Sequence, residues 1–231
     1  MTIMTNNDFI TSLERAFNKH ANSRVAKAQS AYMRNQFDFY GLTTSKRRNI
    51  QEPLFQEYNL SLTPDLKKII RRLWKKEERE YQYCAQELIF QNTQQFTPEY
   101  INLFEFMITH KSWWDTIDFL SPKLVGTYFN LYPEKKEDQV EKWLCSNNIW
   151  LQRSCLLFQL KYKHNLNTEL LTHIIYSLLN SKEFFINKAI GWILREYSKT
   201  NSRWVVNFVE KTSLSKLSSK EALKFVRKNQ N

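Results

Sequence analysis

The chain contains little glycine and little proline, with 3 Gly and 5 Pro in 231 residues. Tight turns between β-strands depend on these two residues, so their scarcity excludes an all-β protein with many hairpins. Gly41, Gly126 and Gly191 are isolated from one another, which also excludes a glycine-rich phosphate-binding loop. The composition therefore favours helices joined by short polar connections.

Cysteine and long apolar segments are also scarce. Cys84, Cys145 and Cys155 are odd in number and widely spaced, so they fit neither a disulfide framework nor a metal site. No segment approaches the length of a membrane span, and residues 1–9 lack the apolar run of a signal peptide. These absences predict a soluble cytoplasmic protein with no metal, no cofactor and no membrane contact.

Basic residues exceed acidic ones, 34 Lys and Arg against 23 Asp and Glu, for a formal net charge of +11. Such a charge favours a polyanionic partner, with nucleic acid ahead of an anionic membrane surface. Much of the excess lies in residues 181–231, where eleven Lys and Arg, among them Lys188 and Arg195, face four Glu. Together with Lys46, Arg47 and Arg48, these residues are predicted to line a DNA-binding surface.

Apolar residues recur at helical spacing along nearly the whole chain. A clear example has Lys and Arg on its opposite face and consists of Leu66, Ile69, Ile70, Leu73 and Trp74. Pro53 and Pro64 are expected to bracket a connection between helices. The pattern predicts about a dozen helices, paired by short turns into repeats of about 35–45 residues.

This periodicity predicts an all-α fold, a curved solenoid of HEAT-like helical-hairpin repeats in a single elongated domain, residues 1–231. No linker rich in Ser, Gly or Pro divides the chain into two parts. The concave face of such a stack can follow a long partner such as duplex DNA.

Residues 111–118, Lys-Ser-Trp-Trp-Asp-Thr-Ile-Asp, place two tryptophans and two carboxylates side by side in this basic chain. Ser112 followed by Asp115 has the spacing of a capping box, which predicts that a helix begins here. On that helix Trp114 and Asp118 are four residues apart and share a face. The carboxylate repels the phosphates of a polyanion, so a function of its negative charge must outweigh that repulsion.

The alternative is that both tryptophans of this segment are core residues and that Asp118 is a solvated charge near a turn. Trp113 points about 100° away from Trp114 on a helix, so we expect Trp113 in the core in either case.

Three other segments combine aromatic and basic residues. They contain Tyr32, Arg153 and Trp192. Tyr32 could equally be a tyrosine at the edge of the core, and Arg153 a solvated charge. Trp192 follows Gly191, and a glycine inside a helix costs about 1 kcal/mol relative to alanine. Gly191 therefore predicts a close approach to the backbone or a tight helix crossing.

Four segments, in this order along the chain, resemble the AlkD-type DNA alkylation repair glycosylases. They are Tyr-Met-Arg-Asn-Gln-Phe at 32–37, Ser-Trp-Trp-Asp-Thr-Ile-Asp at 112–118, Trp-Leu-Gln-Arg at 150–153 and Ile-Gly-Trp-Ile-Leu-Arg-Glu-Tyr at 190–197. The resemblance implies a solenoid of HEAT-like repeats. It also implies an enzyme that removes bases alkylated at N7 of guanine or N3 of adenine from duplex DNA.

The resemblance further implies a role for five residues. Asp118 would be the catalytic carboxylate, with Trp114 and Trp192 flanking the sugar and phosphate of the lesion. Arg153 would contact the DNA backbone near the lesion, and Tyr32 would lie beside the same cleft. The damaged base would stay in or near the base stack rather than enter a pocket, and the enzyme is expected to act as a monomer.

Two other functions fit parts of the pattern. A non-catalytic HEAT-like module that binds branched or distorted nucleic acid would share the fold and the charge, but would have no need of Asp118. A protein-interaction scaffold would use the aromatic residues to bind a partner helix, and the charge of +11 argues against it. Release of free base from alkylated duplex DNA distinguishes the three.

Overall fold

A computed structural model describes residues 6–60, 63 and 65–228, and no β-strand occurs among them. The helices are α1 (Asn6–Lys19), α2 (Ser23–Tyr32), α3 (Thr44–Glu57), α4 (Leu66–Trp74), α5 (Arg79–Phe90), α6 (Tyr100–Thr109), α7 (Trp114–Leu120), α8 (Gly126–Leu131), α9 (Lys136–Leu144), α10 (Ile149–Leu157), α11 (Thr168–Leu178), α12 (Phe184–Ser198), α13 (Ser202–Lys211), α14 (Lys216–Ala222) and α15 (Lys224–Lys228). The prediction of an all-α fold is confirmed. None of these helices is long and apolar enough to cross a membrane.

The chain divides into two compact units, residues 1–99 and 100–231. In the first unit α1 packs on α3, α3 on α5, and α4 on α5. In the second, α10 contacts α7, α9, α11 and α12, while α12 also contacts α13 and α14. Helices that touch both the next helix and the one after it are typical of stacked helical hairpins. The single domain over residues 1–231 stays a prediction.

The first unit corrects one sequence-based boundary. Pro53 lies inside α3 and does not mark its end, because α3 buries Arg47, Gln51 and Phe55 at four-residue spacing on its packed face. Packing of that face therefore holds the helix together despite the hydrogen bond that Pro53 cannot make. Pro64, the other predicted boundary, lies outside the described residues.

In the second unit, α7 continues through a π-helical turn, Ser121–Val125, into α8. Pro122 has no backbone N–H and cannot donate to the carbonyl of Asp118, so the α-helical hydrogen-bond pattern is interrupted at this point. The backbone N–H of Gly126 donates to Ser121 O, five residues back. Such π-turns within helices are frequent at functional sites.

Helix α14 crosses α12 at Gly191. A Cβ atom at Gly191 would lie 2.5 Å from Cβ of Glu221 and 2.9 Å from the carbonyl oxygen of Ser218. The hydroxyl of Ser218 donates a 2.8 Å hydrogen bond to the carbonyl of Asn187, which fixes the crossing one turn away. The predicted tight helix crossing at Gly191 is confirmed.

This crossing makes the effect of Gly191→Ala testable. Helix propensity alone would stabilise the variant by about 1 kcal/mol. We expect instead a net loss of about 1–2 kcal/mol in the free energy of unfolding, because the new methyl group must displace α14. Urea unfolding measures the sign. Asn207→Ala, an exposed change on α13, is the control, expected within about 0.5 kcal/mol of wild type. A Gly191→Ala protein as stable as wild type would contradict the crowding.

Candidate active site

Helix α7 begins two residues after the predicted cap. The hydroxyl of Ser112 donates to the carbonyl of Ile108 at 2.6 Å, so it satisfies the end of α6. Trp113 occupies the N-cap position of α7, and its side chain makes no capping hydrogen bond. The predicted capping box is therefore wrong. Asp115 lies in the first turn of α7, where a carboxylate is favoured by the helix dipole.

Asp118 of α7 forms a two-point ion pair with Arg153 of α10. Nε of Arg153 lies 2.9 Å from Oδ1 of Asp118, and one terminal guanidinium nitrogen lies 3.0 Å from Oδ2. The side chain of Asp118 is 19% exposed and that of Arg153 only 3%. Paired donors in this fork geometry fix the plane of the carboxylate as well as its position.

Arg153 also binds the third helix of the site. Its other terminal nitrogen donates to the carbonyl of Phe185 at the start of α12. In addition, the hydroxyl of Ser121, in the π-helical turn after α7, donates a 3.0 Å hydrogen bond to the hydroxyl of Ser154 on α10. The guanidinium of Arg153, which sequence comparison assigned to the DNA backbone, therefore points inward and holds three helices together.

The surroundings of Asp118 change its acidity. Burial raises the pKa of Asp118 to about 6, although the charge and the hydrogen bonds of Arg153 act in the opposite direction and lower it. The carboxylate of Asp115, three residues earlier, adds a smaller upward shift to this pKa. Asp118 is thus an anion above about pH 6 and takes up a proton below it.

Three aromatic rings pack together beside this ion pair. The ring centre of Phe185 lies 5.3 Å from that of Trp113 and 5.0 Å from that of Trp150. The indoles of Trp113 and Trp150 are 5.7 Å apart. Trp113 is half-buried rather than fully buried, and its buried Nε1 makes no hydrogen bond to the described residues. The predicted core position of Trp113 is therefore only partly correct.

Trp114 and Trp192, the two predicted catalytic tryptophans, are both half-buried. Trp114 is the first residue of α7, one turn before Asp118. Trp192 lies on α12, seven residues after Phe185, so both point from the same face of that helix. Sequence reasoning missed Phe185, although its seven-residue spacing from Trp192 was a usable signal.

Lys188 and Arg195, the predicted DNA contacts of α12, both form ion pairs with Glu221 of α14. Tyr32 lies elsewhere, as the exposed last residue of α2 in the first unit. Each of these three residues keeps its predicted DNA-binding role as a prediction only.

The basic residues of the first unit differ from one another. Lys46 and Arg48 are exposed, as predicted for a DNA-binding surface. Arg47 is buried and donates to the carboxylate of Glu87 at 2.8 and 3.0 Å, and Arg48 pairs with the same carboxylate. The expected place of Arg47 on an exposed basic wall is wrong.

The part of the chain that the structure describes contains no group of three or more His, Cys, Asp and Glu that could hold a metal ion. Cys84, Cys145 and Cys155 are free thiols. The site itself presents the Asp118 carboxylate and the indoles near it.

The raised pKa of Asp118 predicts how stability depends on pH. The folded carboxyl has a pKa of about 6, against about 4 in an unfolded chain. The folded state binds this proton more tightly, so wild type loses relative stability as the pH rises between these values. We expect the stability of wild type minus that of Asp118→Asn to fall by about 2 kcal/mol from pH 4 to pH 6.

Urea unfolding of both proteins between about pH 4 and pH 8 measures this difference. The difference should be constant above about pH 7. If the attraction of Arg153 outweighed burial, the pKa would be depressed and the difference would rise with pH instead.

Two similarities, to a family model and to a solved structure, bear on the identity of the chain. No curated protein matches the sequence. The family model for DNA alkylation repair enzymes matches residues 13–226. A solved structure from Enterococcus faecalis, titled as a predicted DNA alkylation repair enzyme, is similar with a TM-score of 0.84 and 35% identity, over 90% of this chain and 97% of that one. The chain belongs to the DNA alkylation repair enzyme family.

Proposed function

We propose that the protein is a DNA glycosylase that hydrolyses the N-glycosidic bond of cationic alkylated purines in duplex DNA. Its substrates are N7-alkylguanine and N3-alkyladenine. The observation that carries the proposal is the mostly buried Asp118 carboxylate, held at two points by Arg153 beside a cluster of aromatic rings. Membership of the DNA alkylation repair enzyme family supports alkylated DNA as the substrate.

The chemistry needs an anion more than it needs an acid. Alkylation places a positive charge on the base, so the bonding electrons leave with it and the base departs neutral without a proton donor. The sugar becomes electron-poor at C1′, and a nearby carboxylate stabilises that charge. Water then adds at C1′ and loses its proton, which leaves an abasic site.

Asp118 supplies this stabilisation. Opposite unit charges 4 Å apart at an effective dielectric of about 20 attract each other by about 4 kcal/mol. If the attraction arises mainly in the transition state, it corresponds to an acceleration of up to about 10³-fold. The neutral form of Asp118 would lose this contribution, so activity requires the pH to exceed its pKa of about 6.

Arg153 acts here as a positioning residue. Without a partner, a buried carboxylate tends to protonate, because desolvation disfavours its charge. The guanidinium opposes that effect and fixes the carboxylate plane. It also offsets part of the negative field, so the figure of 4 kcal/mol is about the upper limit for Asp118. The two carboxylate oxygens have about four lone-pair sites, more than the contacts with Arg153 use, so the carboxylate can also accept from a water molecule or contact the sugar.

Recognition of the lesion takes place through the sugar and the backbone. The indole faces of Trp114 and Trp192 contact the cationic sugar and exclude water from it. Lys188, Arg195 and Tyr32 contact the DNA strand outside the reacting bond. A base that is not enclosed in a pocket can carry a bulky alkyl group, so selection follows the lability of the glycosidic bond. We place the enzyme in the cytosol as a monomer with duplex DNA as its partner.

Asp118→Asn tests the role of the anion. The amide is nearly isosteric with the carboxylate but uncharged, so we expect single-turnover release of N7-methylguanine to fall by about 10²–10³-fold. Affinity for the same duplex should change by less than about threefold, because Asp118 is not a phosphate contact.

Asp115→Asn is the matched control, since it removes a carboxylate from the same helix three residues earlier. At about pH 8 Asp118 is ionised in both proteins, and the control should release base at the wild-type rate. A rate near wild type for Asp118→Asn would rule out electrostatic catalysis by this residue. Wild-type protein that binds the duplex but releases no base would instead favour a non-catalytic DNA-binding module.

Trp114→Ala and Trp192→Ala test how the lesion is recognised. Both variants should lower the release of N7-methylguanine, a bulky N7 adduct and N3-methyladenine by similar factors, because the indoles contact the sugar and not the alkyl group. Uracil should stay uncleaved in every protein, since its anionic leaving group needs an acid. Size-dependent rescue of the bulky adduct, or efficient release of uracil, would contradict recognition through the backbone.

A further inference from the structure

Glu221 is a buried carboxylate whose role the proposed reaction leaves open. Its side chain is 2% exposed on α14, at the place where this helix crosses α12. Lys188 and Arg195 of α12 and Lys224 of α15 all form ion pairs with it. Burial acts to raise the pKa of Glu221, but its hydrogen bonds and these cations lower the pKa to about 2. Glu221 is therefore an anion at every physiological pH.

The cations around Glu221 exceed its charge. Lys188, Arg195 and Lys224 carry three positive charges against one negative charge, so this group has a net charge of +2. An ammonium has three N–H donors and a guanidinium has five, and each of these side chains uses one on Glu221. The three side chains are 31–49% exposed. Surplus donors therefore face solvent and can bind an anion.

The group lies on the helix face that carries Trp192. Lys188 precedes Trp192 by four residues and Arg195 follows it by three, so the two cations flank the indole on one side of α12. Seven residues along an α-helix span about 10.5 Å. Phe185, whose carbonyl accepts a hydrogen bond from Arg153, lies on the same face about one turn before Lys188.

We propose that Glu221 is a positioning residue that holds Lys188 and Arg195 as a phosphate clamp on both sides of Trp192. This proposal rests on DNA being the substrate, as in the proposed function. The clamp binds phosphate groups of the strand next to the lesion. Long Lys and Arg side chains lose much rotamer freedom when they bind a ligand, and Glu221 removes most of that cost in advance. It also suppresses the repulsion between the two cations before DNA arrives.

The positioning role and a simple charge effect predict different binding by Glu221→Gln. If Glu221 were only a negative charge close to DNA, its removal would strengthen binding to every duplex. A positioning role predicts that binding to undamaged duplex stays equal or becomes tighter, while the preference for a damaged site is lost. The two accounts therefore differ in the ratio of two affinities.

The experiment measures affinity for a duplex with a stable abasic-site analogue and for the same duplex undamaged, at several salt concentrations. We expect Glu221→Gln to lower the preference for the abasic duplex by about tenfold. Glu196→Gln is the matched control, because Glu196 lies on α12 with Lys188 and Arg195 and, among the described residues, pairs with exposed Lys199. The control removes the same charge and should keep the wild-type preference. An unchanged preference in Glu221→Gln would overturn the proposal.

A double-mutant cycle separates the clamp from a purely structural effect. In a Lys188→Gln, Arg195→Gln background, Glu221→Gln should cause no further loss of preference, because nothing remains to be positioned. A further loss of similar size would show that Glu221 acts through the fold, and would also overturn the proposal. If Glu221→Gln does not fold, Glu221→Asp retains the charge with a shorter side chain and should still lose most of the preference.

Base release by the wild type, measured in parallel, distinguishes the two proposals. Wild type that prefers the abasic duplex but releases no base contradicts the glycosylase and leaves the clamp to be judged by the variants. Wild type that releases base, together with a Glu221→Gln protein of unchanged preference, contradicts only the clamp. A wild type with no preference for the abasic duplex contradicts the clamp directly.

Discussion

The ion pair between Asp118 and Arg153 is the constraint on which the candidate site depends. Asp118 lies in the last turn of the 7-residue helix α7. Its place is set by the guanidinium of Arg153, which also binds the carbonyl of Phe185 on α12. Without Arg153, the Asp118 carboxylate would lose the cation that opposes the effect of burial on its pKa and would be protonated more readily.

Two carboxylates of the second unit show how the balance between burial and surrounding cations sets the pKa. Asp118 has one cation, Arg153, and burial still raises its pKa to about 6. Glu221 has Lys188, Arg195 and Lys224 around it, and its pKa falls to about 2. The first is an anion with spare lone pairs, suited to a developing positive charge. The second stays ionised and holds three cations, so the group as a whole carries a net positive charge.

Features that depend on local periodicity, or on a position where only glycine fits, could be predicted from the sequence. Four-residue spacing placed Trp114 and Asp118 on one helix face, and glycine at position 191 predicted the close crossing that α14 makes. Other features depended on partners far along the chain. Ser112 had the spacing of a cap, but Trp113 occupies the N-cap position, and the hydroxyl of Ser112 donates to the carbonyl of Ile108 at the end of α6.

A sequence shows which residues are charged but not which way their side chains point. This explains why basic residues expected to face DNA form ion pairs within the protein. Arg153 was expected to face DNA, but its partner Asp118 lies 35 residues away in sequence and turns it inward. Lys188 and Glu221 are 33 residues apart in the sequence. They form an ion pair because α14 packs across α12 at Gly191. A motif therefore located the site, whereas the ion-pair network that shapes it required the fold.

The central claim is that an ionised Asp118 drives base release, and the pH dependence of that release under subsaturating single-turnover conditions tests it most directly. The cationic base leaves without a proton donor, so the protonation state of Asp118 alone should govern the rate. The rate constant for N7-methylguanine should rise about tenfold per pH unit below pH 6 and be constant above about pH 7. A rate that is independent of pH between about 5 and 8, or that falls as Asp118 ionises, would contradict the account.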